Sequence, residues 1–405
     1  MSAVPRRPEP AEDASDADDA LPLSDPDLGE VELELVLAAL REPRLSAGRI
    51  VGHFESQFAR WVGRRHGVAV ASGALGAWLS LRALGIGPGD EVIASPYGWH
   101  PIAHAVDLAG ARVVFSEIDY WSGCIDPARV AARITPATRA ILAGNVNGHP
   151  AAWKALRELA DAHGLRLIED STEAIGSRTL GRRVGSFGDV SVFDFSQPSA
   201  LCCGEGGLVL TDDDALAAAL RELRGAGERR GGTLGNSGTP GTRIGLQAAI
   251  SEPTAALACG QLARIDAILE RRRQAVARYL EQMQSFEGIK PPYLAPHVDE
   301  AHWMVYVVHL GKRFTADATA QIVEDLGTAQ VEAVAYCGPG RVPLHLHPHY
   351  ARQGWKRGDL PLAERIGERA LALPLHGHLD EEQIRFIVQT LKDSSLNVGA
   401  GAAIY

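Results

Sequence analysis

The chain alternates short apolar runs with helical patterns, and this alternation limits the folds open to it. Seven runs are typical of strands: 68–71, 91–94, 112–115, 140–143, 165–169, 190–195 and 207–210. Amphipathic stretches lie between several of them, such as 74–84 and 151–163. Strands that alternate with helices form βαβ units and a mainly parallel sheet. The functional side chains of such a sheet collect in the loops at the carboxyl ends of its strands.

The flanking segments indicate a smaller second domain and two tails. We predict a disordered acidic tail over residues 1–28 and a large α/β domain over 29–255. A long helix with a C-terminal α+β domain is predicted over 256–395, and a second tail over 396–405. Apolar residues recur at helical spacing from Leu262 to Met283, as in one long helix. The glycine-rich segment 225–242 is either a surface loop or a flap over a site.

Composition narrows the class of partner. The formal net charge of −10 argues against a nucleic-acid or anionic-membrane partner, so we expect a small-molecule substrate. The five cysteines show neither a zinc spacing nor a disulfide framework, and no metal is expected. No apolar run is long enough to span a membrane, and a cytoplasmic protein is the expectation. Only five of the 40 basic residues are lysines: Lys154, Lys290, Lys312, Lys356 and Lys392.

Several longer segments stand in a recognisable order. They are SGALGAWLSLRALGIGPGDEVI from residue 72, GARVVFSEID from 110, IEDSTEAIGS from 168, GSFGDVSVFDFSQPSALCCGEGGLVLT from 185 and SEPTAALACGQL from 251. From about residue 45 to residue 393 the chain resembles the DegT/DnrJ/StrS family of pyridoxal phosphate (PLP) sugar aminotransferases. The resemblance implies an α/β fold of the aspartate aminotransferase type I class. This has a large, mainly parallel seven-stranded sheet domain and a smaller C-terminal α+β domain. It also implies a homodimer with sites near the interface and a role in natural-product biosynthesis.

One departure from the family concerns its central lysine. In the family segment F-S-F-x-x-T-K-x-L-x-x-G-E-G-G, the lysine forms the Schiff base with PLP. This chain has F-D-F-S-Q-P-S-A-L-C-C-G-E-G-G, of equal length, which places Ser199 at the lysine position. No lysine lies between Lys154 and Lys290. A serine hydroxyl forms no imine, so the sequence predicts loss of ordinary transamination.

Other departures fall at positions that resemble cofactor ligands. Asp194 replaces a serine that binds the phosphate, and Ser72-Gly73-Ala74 replaces the S-G-T of the phosphate-binding turn. Gln247 stands in the element that reaches the partner subunit's phosphate, and Glu173 stands near the phenolic oxygen of the cofactor. A carboxylate beside a phosphate dianion is repulsive. We therefore predict that the chain works without PLP.

Two positions keep residue types that the resemblance associates with the cofactor ring. Asp170 aligns with the aspartate that pairs with the pyridinium nitrogen, and Trp99 aligns with the aromatic residue that stacks on the ring. Both have structural alternatives, as a helix cap and as a core residue. Asp194 also has one, as an ion pair with Arg182 or Arg183.

The predicted site is a set of acid/base groups in the old cofactor cleft. The catalytic candidates are Asp194, Glu173, Asp170, His100, His149 and Ser199. The substrate-binding candidates are Ser72, Gly73, Ala74, Trp99, Asn145, Asn147, Gln247 and His345. Glu205 and His104 are weaker acid/base candidates.

Three functions remain open from the sequence. The first is a PLP-independent enzyme that dehydrates, isomerises, cyclises or condenses a sugar-like or natural-product intermediate. The second resembles ketosugar dehydratases that bind pyridoxamine phosphate (PMP) non-covalently, with His100 or His149 as the base. The third is a non-catalytic partner subunit of a biosynthetic complex.

Overall fold

The computed structural model describes residues 20–225, 228–229, 239–283, 288–337 and 342–401. Its helices are α1 (Glu30–Leu40), α2 (Arg49–Val62), α3 (Gly73–Ala83), α4 (His104–Leu108), α5 (Pro127–Ala131), α6 (Trp153–His163), α7 (Asp214–Arg224), α8 (Glu252–Ala263), α9 (Ile265–Gln282), α10 (Ala316–Thr328), α11 (Pro348–Ala351), α12 (Pro361–Gly367) and α13 (Glu381–Gly401). In the part of the chain described, no helix is both long and apolar enough to cross a membrane.

Seven strands form the central sheet, in the order β1-β9-β8-β5-β4-β2-β3. They are β1 (His66–Val70), β2 (Glu91–Ala94), β3 (Arg112–Phe115), β4 (Thr138–Gly144), β5 (Arg166–Asp170), β8 (Val190–Asp194) and β9 (Gly207–Thr211). Only β9 runs against its neighbours β1 and β8. The remaining pairs are parallel, so the six strands other than β9 end at one edge. The predicted mainly parallel seven-stranded sheet is confirmed.

The C-terminal part builds a separate antiparallel sheet of four strands, ordered β12-β14-β16-β15. These strands are β12 (Ile289–Lys290), β14 (Tyr306–Leu310), β15 (Val334–Ala335) and β16 (Ala370–Leu373). Its apolar core includes Tyr306, Leu371 and residues of α10 and α13. Two small sheets complete the topology, β13-β6-β7 and β10-β11. Their strands are β6 (Arg178–Thr179), β7 (Arg182–Arg183), β10 (Glu228–Arg229), β11 (Thr239–Pro240) and β13 (Val298–Glu300).

Residues 20–28 differ from the predicted disordered tail. Leu21 pairs in parallel with Val331, and the side chain of Leu23 is buried. The carboxylate of Asp27 accepts hydrogen bonds from Arg264 at 2.7 Å and from Arg271 at 2.6 Å. These three anchors order the segment, while residues 1–19 lie outside the described residues.

The structure differs from three further predictions about helices and loops. The predicted long helix is two helices that meet at Arg264, which ends α8 and precedes α9. The predicted domain boundary at 255/256 falls inside α8, and α13 continues through the predicted tail as far as Gly401. Within 225–242, β10 pairs with β11, and residues 226–227 and 230–238, which the flap hypothesis needs, lie outside the described residues.

Candidate active site

A narrow cleft opens where the parallel strands β2, β4 and β5 end. The loop after β2 lines one side of it, the segment after β4 lines another, and Leu344 comes from the C-terminal part. Four of the predicted site residues line this cleft: His100, Asn145, Asp170 and Glu173. The structure therefore brings an imidazole and two carboxyl groups together at the edge where the sheet topology predicts function.

Asp170 is the last residue of β5, and its carboxyl group is enclosed. Burial raises its pKa to about 6, and nearby Glu173 adds to the rise. Hydrogen bonding by Thr172, whose N–H donates to Oδ1 at 3.0 Å, acts in the opposite direction, as does the imidazole of His100. Nδ1 of His100 is buried and has no hydrogen-bond partner among the described residues. The pair therefore combines an acid that titrates near neutrality with an imidazole nitrogen free to take or give a proton.

Glu173 holds three segments of the cleft wall together. Its carboxylate accepts from the N–H of Trp99 at 2.5 Å and from the N–H of Asn147 at 2.7 Å. It also accepts from the hydroxyl of Tyr336, a residue of the C-terminal part. The side chain is buried, with 6% exposed. Because its oxygens are occupied by these donors, Glu173 fixes the shape of the cleft and does not stand free as an acid or base.

Asp194 ends β8 and faces the first residue of α3. Its Oδ2 accepts from the N–H of Gly73 at 2.6 Å, and its Oδ1 accepts from the N–H and hydroxyl of Ser196 at 2.8 and 2.5 Å. A Cβ at position 73 would lie 2.7 Å from Cβ of Asp194, so only glycine allows this approach. We call Ser72, Gly73 and Ala74 together with Asp194 and Ser196 the α3 start. A buried carboxylate thus occupies the first amide donor of a helix, at its positive end.

The predicted ion pair between Asp194 and Arg182 or Arg183 is not formed. The Arg182 guanidinium lies 4.4 Å from the ring centre of Phe187. That of Arg183 lies over the ring of Trp61 and donates to its carbonyl oxygen. Among the described residues, the hydrogen-bond donors to Asp194 are therefore neutral.

Two of the predicted substrate-binding residues stabilise the fold instead. Oδ1 of Asn145 accepts from the indole of Trp153 at 2.7 Å, and its amide donates to Ser171 at 3.0 Å. Oδ1 of Asn147 accepts from the N–H of Val305 at 3.1 Å. Both side chains are buried. They link β4 to its surroundings and leave little hydrogen-bonding capacity for a substrate.

The histidines at positions 149 and 345 are likewise engaged. Nδ1 of His149 lies 2.8 Å from the carbonyl oxygen of Pro150, and Nε2 accepts from the N–H of Ala295 at 3.2 Å. Burial lowers the pKa of His149 to about 4, which fits this neutral tautomer. His345 is fully buried and pairs with Glu364 at 3.0 Å, and burial lowers its pKa as well. Neither ring is placed to move a proton in the cleft.

The remaining candidates differ in their exposure and their contacts. Ser199 is 7% exposed, and its buried Oγ has no partner among the described residues. The half-buried ring of Trp99 packs 5.9 Å from that of Tyr336. Gln247 and Glu205 are exposed and do not line the cleft. His104 stacks on Tyr350 at 5.7 Å, outside the cleft lining.

Sequence reasoning missed the buried carboxylate of Glu169. It accepts from the N–H groups of Gly185 at 2.5 Å, Phe187 at 2.7 Å and Gly188 at 3.0 Å. It also accepts from the Ser191 hydroxyl at 3.0 Å. Its position beside Asp170 on a buried strand was a usable signal, since a fully buried charge needs several partners. No cluster able to hold a metal ion occurs among the described residues.

The fold and the edge-of-sheet cleft are those of an aminotransferase-type α/β enzyme. The model of the DegT/DnrJ/EryC1/StrS aminotransferase family matches residues 26–392, and the chain belongs to this family. The resemblance drawn from the sequence motifs is thereby confirmed.

Individual relatives cover nearly the whole chain. The spore coat polysaccharide biosynthesis protein SpsC of Bacillus subtilis is 32% identical over 92% of this chain and 96% of its own. A dTDP-3-amino-3,4,6-trideoxy-alpha-D-glucose transaminase of Streptomyces venezuelae is 36% identical over 84% of this chain and 86% of its own. The crystal structure of S. venezuelae DesV in complex with a ketimine intermediate superposes with a TM-score of 0.81. That structure is 34% identical and covers 90% of this chain and 94% of its own.

These relatives correct the prediction about the cofactor. We predicted from the sequence that the chain works without one, and this prediction is wrong. The family is an aminotransferase family, and the 34% identical DesV structure is in complex with a ketimine intermediate. A putative sugar aminotransferase of Streptococcus pneumoniae, 22% identical over 95% of this chain and all of its own, shares the fold with a TM-score of 0.87. A PLP-type cofactor is therefore expected of this chain.

The cleft at Asp170 and the neighbouring α3 start, where β8 ends beside β5, differ in how they suit that cofactor. Asp170 lines the cleft, and Trp99, outside the lining, donates its N–H to Glu173 of the cleft wall. At the α3 start, the N–H of Gly73 is already bound by the Asp194 carboxylate, so these residues do not fit a phosphate as they stand. Two unit charges 4 Å apart repel by about 4 kcal/mol at an effective dielectric constant of 20. The protein and the phosphate group compete for the same donors.

Proposed function

We propose that this biosynthetic enzyme moves protons on a ketosugar-type substrate, with His100 and Asp170 as the proton-transfer pair. One observation carries the proposal. A carboxyl group whose pKa is raised to about 6 shares a cleft with an imidazole whose Nδ1 has no partner among the described residues. A carboxyl group with a raised pKa and an unpartnered imidazole nitrogen in one cleft suit general acid–base chemistry.

The substrate class follows from what the relatives are named for. One relative is a transaminase of a dTDP-linked amino sugar, and another is GDP-perosamine synthase. An enzyme that places an amine on a sugar starts from a carbonyl carbon, and protons on the carbons beside a carbonyl are acidic. Removing or returning such a proton is the step that His100 and Asp170 are suited to perform.

The other residues of the cleft bind and position. Glu173 fixes the backbone of Trp99 and Asn147, and so holds the segment that carries His100. The hydroxyl of Ser199 can donate to a substrate oxygen, because no described residue uses it. The enclosed cleft keeps the Asp170 carboxyl away from water, and this raises its pKa so that it holds its proton to a higher pH than an ordinary aspartate.

We further propose that a PLP-type cofactor is held by this chain without a covalent bond. None of the five lysines lines the cleft. Lys154, Lys290, Lys312 and Lys356 are exposed, and Lys392 donates to the carbonyl oxygen of Gln282. Non-covalent binding agrees with the second function left open by the sequence.

Proton exchange on candidate substrates tests the main proposal. The full chain is incubated in D₂O with dTDP- and GDP-linked 3- and 4-ketosugars, with PLP, PMP, pyridoxal or pyridoxamine added in separate samples. Proton NMR follows exchange at carbons beside the carbonyl. His100→Gln and Asp170→Asn should each lower the exchange rate by about 100-fold or more. His163→Gln, which changes an exposed imidazole, should leave the rate unchanged.

Two outcomes would contradict the proposal. Exchange that is equally fast in wild type and both variants removes His100 and Asp170 from the chemistry. The absence of exchange with every ketosugar overturns the proposed enzyme and favours the third reading, a non-catalytic partner subunit.

A further inference from the structure

The α3 start holds an anion that belongs to the protein itself. Three hydrogen-bond donors converge on the carboxylate of Asp194: the N–H of Gly73 and the N–H and hydroxyl of Ser196. The residue is 7% exposed, so water does not screen this charge as it would at the surface. The amino end of a helix carries roughly half a positive charge, which a single carboxylate already balances.

Among the described residues, no cation near Asp194 is available to hold the phosphate of a ligand. Within the described ranges, no arginine or lysine forms an ion pair with Asp194. The hydroxyl of Ser72 accepts from the N–H of Leu75 at 3.2 Å, so this side chain caps its own helix. The one buried polar group nearby in the chain that lacks a partner among the described residues is the neutral hydroxyl of Ser199. The site can therefore satisfy a hydroxyl group on a ligand, but not a dianion.

We propose that the carboxylate of Asp194 takes the place of the cofactor phosphate, so that this chain prefers an unphosphorylated pyridoxal-type ligand, such as pyridoxamine, to its phosphate ester. The inference rests on the proposed ligand cleft. The hydroxymethyl group that remains when the phosphate is absent donates its O–H to a carboxylate oxygen. A phosphate monoester offers only further negative charge at that point, and it must displace Asp194 to reach the amide of Gly73.

Calorimetric titration of the full chain with pyridoxamine and with PMP measures this preference. Wild type should bind pyridoxamine more tightly than PMP. Asp194→Asn keeps an acceptor for the Gly73 N–H and removes the charge, and Asp194→Ser restores the residue type that the family resemblance implies. In both variants the ratio of the two dissociation constants should shift toward PMP by 30-fold or more. Glu205→Gln, which removes an exposed carboxylate from the same loop, should shift it by less than twofold.

Three results of the titration would overturn the inference. A wild-type chain that prefers PMP, that binds neither form, or whose ratio is unchanged in both Asp194 variants overturns the inference. Circular dichroism of Asp194→Asn confirms that the variant is folded before its ratio is used. No sugar is present in this titration, so its result is independent of the ketosugar exchange experiment. If protons exchange on a ketosugar but the ratio of dissociation constants is not as expected, only the role of Asp194 is overturned. If the ratio is as expected but no ketosugar exchanges its protons, only the proposed reaction is overturned.

Discussion

The enclosed carboxyl group of Asp170 links pH to stability at the scale of one residue. Its pKa is about 6 in the folded chain and 3.8 for an ordinary aspartate, so the folded state binds more protons between these values. The free energy of unfolding therefore falls as the pH rises from about 4 to about 7. Above that range the folded state carries the full cost of burying the ionised carboxylate. A difference of this size corresponds to about 3 kcal/mol.

Replacing Asp170 by Asn should remove this pH dependence. The amide keeps an oxygen for the N–H of Thr172 and cannot ionise. Relative to wild type, the free energy of unfolding of Asp170→Asn should rise by about 3 kcal/mol between pH 4 and pH 8. Urea unfolding followed by tryptophan fluorescence at both pH values measures it. A constant difference between the two proteins across this range would show that Asp170 ionises freely.

Glu173 should be important for the fold of the cleft wall. In Glu173→Gln one carboxylate oxygen becomes an amide NH₂ group that cannot accept, so a buried N–H of Trp99 or Asn147 loses its partner. We expect a loss of about 2 kcal/mol in the free energy of unfolding. Tyr336→Phe removes only the hydroxyl that donates to the same carboxylate and is the milder control. Equal urea midpoints for wild type and Glu173→Gln would contradict this role.

Residue by residue, the sequence located the cleft better than it assigned roles within it. His100, Asp170 and Glu173 line one cleft, and their roles in it remain predictions. Asn145 and His149 instead bind partners that no local pattern reveals, because Trp153 and Ala295 reach them only through the tertiary fold. A free polar group and a satisfied one look the same in a sequence.

At the scale of elements, periodicity predicted the central sheet well. The strands 91–94 and 112–115 were predicted with the ends they have, because short apolar runs between turns fix both boundaries. The break between α8 and α9 was not predicted. It lies at Arg264, whose guanidinium contacts Asp27 and Glu32 more than 200 positions earlier in the chain.

The same contact explains why the segment before α1 is ordered, and it can be tested. Asp27→Asn should leave Arg271 without its counterion and Arg264 with Glu32 alone, in a largely buried setting. We expect the free energy of unfolding to fall by about 2–3 kcal/mol. Glu30→Gln, an exposed substitution three residues away, should change it by less than about 0.5 kcal/mol. Equal urea midpoints for the two variants would show that Asp27 does not anchor the segment.

For the whole molecule, α1 presents an unusual surface. Its buried Glu32 faces Arg264, while Leu33, Leu37 and Leu40 are 48%, 52% and 53% exposed. Exposed apolar groups of this extent mark interaction surfaces. The homodimer predicted from the sequence remains a prediction, and α1 is the surface on which we expect part of it.

Sedimentation velocity can test this expectation. Wild type should sediment as a dimer, and Leu33→Glu combined with Leu37→Glu should shift the chain toward the monomer, because two charges enter an apolar contact. Leu108→Glu, at a residue 74% exposed on α4, is the control and should leave the dimer intact. A dimer that survives the double substitution places the interface elsewhere.

The carboxylate of Glu169 has a consequence for the order in which the molecule opens. It binds the amides of Gly185, Phe187 and Gly188, which belong to no strand or helix and would ordinarily exchange with solvent quickly. Because Glu169 lies in β5 at the centre of the sheet, these amides are released only when the sheet itself opens. In hydrogen–deuterium exchange this loop should be as slow as the central strands, so an irregular segment becomes part of the most protected unit of the protein.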